Sequence, residues 1–179
     1  WGAHHFDIAQ WGLGMDESGP VEIIPPDDPG SGRGVTFVYE NGVEVIHGGR
    51  SGVTFFGTEG EVFVNRGKQE SKPKGLFETE IGEDEIHLYE APSGGHGGHR
   101  QDWVNCVLSR RQPNCPIEVG ARTVAVCHLG NIVYLHAEEI GQKSLKWDPR
   151  KWEFVGNEKA NEWRDYPYPR RTGYELPQV

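Results

Sequence analysis

VTFVYENGVEVIH, residues 35–47, decides the fold of this chain. Two apolar-rich runs, 35–39 and 43–47, flank Glu40-Asn41-Gly42. Asn and Gly both tolerate the positive φ that a tight reversal demands, so the stretch predicts a β-hairpin. Such runs turn alternate side chains to opposite faces, one meeting a core and the other free for water or a partner.

Working outward, residues 53–57 and 61–65 repeat the pattern around Thr58-Glu59-Gly60 and predict a second hairpin. Residues 21–24 form a short strand stopped by Pro25-Pro26, and 27–34, DDPGSGRG, form a surface loop. Residues 68–74, with Pro73, read as a polar loop; 76–81, 86–90, 143–147 and 152–155 read as further strands. Helices are expected from His4-His5 to Leu13, where Phe6, Ala9 and Leu13 share a face, and over 99–111, where Trp103, Cys106, Val107 and Arg110 share one and Pro113 ends it. A long helix follows over 116–141, closed by Gly141, and a short one over 158–163. The long helix carries Val119, Val126, Leu129 and Val133 on one side and Val124, Cys127, Ile132 and Leu135 on others, which predicts burial between layers, with Gly120 and Gly130 allowing close approach. The expected fold is α+β: a large, mostly antiparallel open sheet of about seven strands with helices packed on one face. Phe37, Tyr39, Phe55 and Phe63 are expected to make its other face adhesive.

The 179 residues suit one domain with a real core. A net charge of −9 without a Lys/Arg cluster argues against a nucleic-acid partner. No run of eighteen apolar residues occurs, so no membrane-spanning helix is expected. The three cysteines, Cys106, Cys115 and Cys127, show no CxxC spacing and read as reduced thiols. Six Trp, seven Phe and six Tyr offer rings on which a sugar face could stack, or a large sheet interface.

Chemistry enters at the start of the chain, WGAHHFDIAQWGLGMD over residues 1–16, where His4 and His5 open the first helix. An imidazole at a helix start can exchange a proton near neutrality, although paired histidines there are more often packing or capping residues. A Gly-rich loop, APSGGHGG over 91–98, carries His96 and leads to His99 at a helix start, and suits closing over a substrate. No Cys or carboxylate nearby completes a ligand set with them, so no metal is expected. Arg50 in GGRSG and Trp103 are candidates to hydrogen-bond and stack against a polyol, or to pack.

The run G-A-H-H-x-D-I-A-x-W-G-L-G resembles the segment that opens the C-terminal domain of the Gfo/Idh/MocA oxidoreductases, the family of glucose-fructose oxidoreductase and inositol dehydrogenase. Residues 52–67, GVTFFGTEGEVFVNRG, resemble the family's strand-turn-strand around G-T-E-G. Residues 99–140 and the WDPRKWEFVGNEKA of 147–160 resemble its bacterial branch common in Bacteroidetes and Planctomycetes. The resemblance implies a single C-terminal substrate-binding and oligomerisation domain over 1–179, preceded in the intact protein by a Rossmann domain that these residues lack. The family's acid/base histidine falls on His4 and its second motif aspartate on Asp7, which would cap or brace the helix; the first motif aspartate would directly precede Trp1. His5, Arg50, His96, His99 and Trp103 are the candidate substrate-binding residues.

Further implications are an NAD or NADP cofactor bound mainly by the absent domain, a sugar or polyol substrate, a dimer or tetramer formed through the sheet face, and no activity from this fragment alone. The cofactor-binding residues stay unknown. Two alternatives stand beside this reading: a non-catalytic carbohydrate-binding or oligomerisation module, and an NAD-dependent enzyme that cleaves glycosides through a transient keto-sugar. A cytoplasmic and a periplasmic location, in a bacterial-type protein, are both compatible with the sequence.

Overall fold

The computed structural model describes residues 2–80, 82–85, 98–141, 143–165 and 171–175. In chain order its elements are α1 (Gly2–Gly12), β1 (Glu22–Ile24), β2 (Thr36–Val38), β3 (Glu44–Ile46), β4 (Val53–Phe56), β5 (Glu61–Asn65), β6 (Lys68–Lys72), α2 (Gly98–Ser109), α3 (Ile117–Leu135), α4 (Ala137–Ile140), β7 (Leu145–Asp148), β8 (Glu153–Phe154) and α5 (Glu158–Glu162). Every strand pairing among the described residues is antiparallel, and with the helices they make an α+β fold. The strands divide between a five-stranded sheet, β3-β2-β1-β7-β8, and a three-stranded sheet, β4-β5-β6. The expected strand over 86–90 and the loop carrying His96 lie outside the described residues. By contact the chain divides into two compact units, Trp1–Glu17 with Gly49–Val124 and Ser18–Gly48 with Ala125–Val179.

The second unit holds the five-stranded sheet. Ile23 pairs with Phe37 and with Leu145, and Phe37 with Val45, so these side chains form one row across four strands. Val35 and Tyr39 fall on the same face by alternation, and all but Val45 are buried. Each fully buried apolar side chain in this layer contributes about 1.5–3 kcal/mol. The later turns of α3 cover this face through Val126, Leu129 and Val133, and Gly130 brings the helix backbone onto the Phe37 ring. Phe37 and Tyr39 therefore point into the core, and the outward face carries Ile24, Thr36, Val38 and Ile46 with Glu22, Glu44 and Lys146. Lys146 and the Ser144 hydroxyl hold the Glu22 carboxyl below its usual range.

The hairpin at 35–47 forms, but only Gly42 takes positive φ there, at 81°. Tyr39 N–H donates to Val43 O and Gly42 N–H to Tyr39 O, each at 2.9 Å, while the Asn41 side chain accepts from Val43 N–H. The loop is thus a three-residue reversal with a left-handed glycine at its end rather than a two-residue turn at Asn-Gly. The long helix breaks at His136, whose φ of −114° leaves the helical region, and α4 then ends on Gly141 at φ 62°. His136 stacks on Trp163 with ring centroids 4.2 Å apart.

In the first unit, residues 68–72 form strand β6 instead of a loop, pairing with β5 from Asn65↔Lys68 to Glu61↔Lys72. The backbone has a free neighbour to bond, and an exposed edge strand needs no apolar alternation. Residues 76–78, expected in a strand, make a 3-10 turn after Gly75 at φ 95°. The helix α2 buries Asp102 and Cys106, while Trp103, Val107 and Leu108 are exposed. Asp102 accepts from Arg111 Nη2 at 2.7 Å, from Asn114 N–H at 2.8 Å and from the Cys106 thiol, so a carboxylate, not an apolar stripe, ties α2 to the segment after it. Phe63 is buried, so its ring adds nothing to an outward apolar face.

Candidate functional site

The first unit presents its histidines on α1. Ala9 and Gln10 are the buried residues of this helix, and Gln10 closes its C-terminal end: its Nε2 donates to Met15 O at 3.0 Å and its carbonyl accepts Met15 N–H at 2.8 Å. Gly12 lies against the Phe55 ring of β4; a Cβ there would stand 2.6 Å from Phe55 Cζ, so only glycine permits this approach. One turn before the buried pair, Asp7 Oδ1 accepts the Thr123 hydroxyl of α3 at 2.9 Å. Thr123 is only 4% exposed. The helix is therefore fixed along its middle and end, and its first turn, with His4 exposed and His5 half-buried, extends from that anchorage.

His4 and Asp7 stand three residues apart, one turn of the helix, and so share a side. Around Asp7 the electrostatics are acidic. Burial, then the charges of Asp7 and Glu17, push the Asp16 carboxyl above its usual range. Burial, followed by Asp7 and Asp16, raises the Cys115 thiol, which keeps it protonated and a poor nucleophile. Among the described residues no three His, Cys, Asp or Glu side chains gather as a metal set.

The remaining sequence candidates occupy other elements. Both Arg50 terminal nitrogens donate to Glu70 Oε2 at 3.0 Å, and the guanidinium lies 3.1 Å from the centroid of the Phe63 ring. Arg50 thus binds within its own sheet; the ion pair is half-exposed and contributes about 0–1 kcal/mol. His99 and Trp103 sit one turn apart on α2, both exposed, the Trp103 side chain at 64%. His96 lies outside the described residues. Thr123 and Asp102 escaped the sequence reading. The signal for Thr123 is a hydroxyl inside the apolar run of the long helix, and that for Asp102 is a carboxylate beside the cysteine on a helix face.

A dinucleotide's pyrophosphate is cradled where a parallel strand runs through a glycine-rich turn into a helix. Among the described residues every pairing is antiparallel and no strand leads into a helix through such a turn. Among the described residues, no helix is long and apolar enough to cross a membrane.

Residues 1–175 match the Gfo/Idh/MocA family model described as Oxidoreductase family, C-terminal alpha/beta domain. No curated protein and no solved structure matches the chain.

Proposed function

The chain belongs to the Gfo/Idh/MocA oxidoreductase family as its C-terminal α/β domain, and we propose that it is the substrate-binding and oligomerisation domain of an NAD(P)-dependent sugar or polyol oxidoreductase, with His4 as acid/base. The observation that carries the reading is the placement of His4, exposed in the first turn of a helix pinned behind it at Asp7 and Gly12. Oxidising a secondary alcohol takes a hydride from carbon and a proton from oxygen. The family's cofactor, NAD or NADP, is the hydride acceptor and belongs to a nucleotide-binding domain outside these residues. This chain's part is the proton: the His4 imidazole takes it from the substrate hydroxyl and returns it in the reverse direction. The exposed Trp103 ring would stack on the apolar face of a sugar, and His5, Arg50, His96 and His99 would supply polar contacts.

The test is turnover of the full-length polypeptide with NAD or NADP and a panel of sugars and polyols, read by nicotinamide absorbance. His4→Ala is expected to lower kcat by about 100-fold or more. Unchanged turnover would remove His4 from the mechanism, and sugar binding without nucleotide and without turnover would make the domain a binding module.

The oligomerisation part rests on the outward face of the five-stranded sheet, where Ile24, Thr36, Val38 and Ile46 lie side by side and Ile46 is 63% exposed. A second copy covering this face would remove that apolar surface from water. Light scattering at micromolar concentration should give a dimer or tetramer, and Ile46→Glu should shift it toward the monomer; a monomeric parent would end this part of the reading.

A further inference from the structure

We propose that Thr123 is a positioning residue for His4, acting through Asp7; the inference rests on the acid/base reading of His4. The Thr123 hydroxyl donates to Asp7 Oδ1 at 2.9 Å across 116 positions of sequence. Nothing in its own helix requires a hydroxyl: Thr123 is 4% exposed on α3, among apolar residues. A buried hydroxyl costs free energy unless it is hydrogen-bonded, so the Asp7 oxygen satisfies Thr123 as Thr123 orients Asp7.

The contact is placed to set the direction of the first turn of α1. Gly12 against Phe55 and Gln10 against Met15 hold the C-terminal end of the helix. Between that end and His4, the bond at Asp7 ties the helix to α3. Because Asp7 lies one turn from His4 on the same side, an angular error at Asp7 carries directly to the imidazole. Proton transfer needs heavy atoms within hydrogen-bond reach, and a displacement of about 1 Å far from the chemistry can cost as much as 100-fold in rate.

The experiment is a double-mutant cycle in the full-length polypeptide: Thr123→Val and Thr123→Ser, each alone and with His4→Ala, with kcat and KM measured for the best-turned-over polyol. Thr123→Val is expected to lower kcat about tenfold with KM changed by less than about twofold. Thr123→Ser, which keeps the hydroxyl, should recover most of the loss. In the His4→Ala background, Thr123→Val should cost nothing further, because the residue it positions is gone. A merely structural threonine would cost the same factor with or without His4, and that result overturns the proposal, as does a Thr123→Val protein that turns over like the parent. Should Thr123→Val fail to fold, Thr123→Ala removes the same hydroxyl without placing a methyl against the carboxylate and decides between the same outcomes. If His4→Ala itself turns over normally, the acid/base reading falls and the positioning role falls with it. If His4→Ala is impaired and the cycle is additive, only the role of Thr123 is lost.

Discussion

The Tyr134 hydroxyl stands 2.8 Å from His47 Nδ1 and accepts the Val35 N–H at 3.2 Å, so one phenol joins α3 to the residue that precedes β2 and the residue that follows β3. With Nδ1 unprotonated the hydroxyl donates its proton to the imidazole and keeps its oxygen for Val35. Burial, then the Arg33 charge, hold His47 below its ordinary 6.5. As pH falls the unfolded chain therefore protonates His47 before the folded chain does. The stabilisation is complete above 6.5 and is lost as pH falls through the depressed folded value. Urea unfolding between pH 7.5 and 5 should show stability declining toward acid, and His47→Asn, which keeps an acceptor and does not titrate, should flatten that decline. Tyr134→Phe should cost about 1–3 kcal/mol at pH 7, because it strands the buried Val35 N–H; equal pH slopes for parent and His47→Asn would refute the assignment.

Asp102 predicts an asymmetry between the two ends of one ion pair. Its carboxylate is 3% exposed and serves both Arg111 and the Asn114 N–H, whereas the Arg111 side chain is nearly half exposed. Asp102→Asn should destabilise by about 1–3 kcal/mol, since the amide NH2 must face one of two donors. Removing the arginine as Arg111→Met leaves the buried carboxylate ionised without its cation and should cost more, about 3 kcal/mol or above. Denaturation midpoints of the two variants decide it, and equal losses would contradict the geometry.

Gly130 and Gly120 predict opposite signs for the same substitution on one helix. A Cβ at Gly130 would stand 3.1 Å from Phe37 Cζ, whereas one at Gly120 meets nothing within 4 Å. Alanine gains about 1 kcal/mol over glycine in a helix interior. Gly120→Ala should realise much of that gain. Gly130→Ala should lose it and more, because Phe37 is 1% exposed and held in register by Ile23 and Val45. Thermal midpoints that rise for both would show the Phe37 ring able to give way.

These relationships explain what could be read from the sequence. The two hairpins and the later turns of α3 are legible by period and turn residues, because their buried side chains are apolar, whereas α1 and α2 also bury Gln10 and Asp102. Strand β6, KQESK, did not: it lies at a sheet edge, where backbone pairing makes the strand and hydropathy records nothing. Faces were harder than elements. Phe37 and Tyr39 look adhesive in isolation, and only the pairing register shows that they face α3 while Ile24 and Ile46 face outward. At the candidate site His4 and Asp7 stood out through their motif, whereas Thr123 becomes visible only when a chain fold brings position 123 beside position 7.

The acidic surroundings of Asp7 supply the last prediction. Asp16 Oδ1 is shut off from solvent, and among the described residues nothing donates a hydrogen bond to it. Burial, then Asp7 and Glu17, raise the folded-state value above 3.8. For an acid raised on folding, the folded chain binds the proton more tightly. Its stabilisation is present below the unfolded value of 3.8 and is lost as pH rises through the raised one. At neutral pH the ionised Asp16 therefore works against the fold. Asp16→Asn, which keeps the shape and removes the charge, should raise the thermal midpoint at pH 7 and lose that advantage as pH approaches 4. A variant no more stable than the parent at pH 7, or equally advantaged at both pH values, would show that the buried oxygen finds a donor in solution and that the acidic cluster carries no strain.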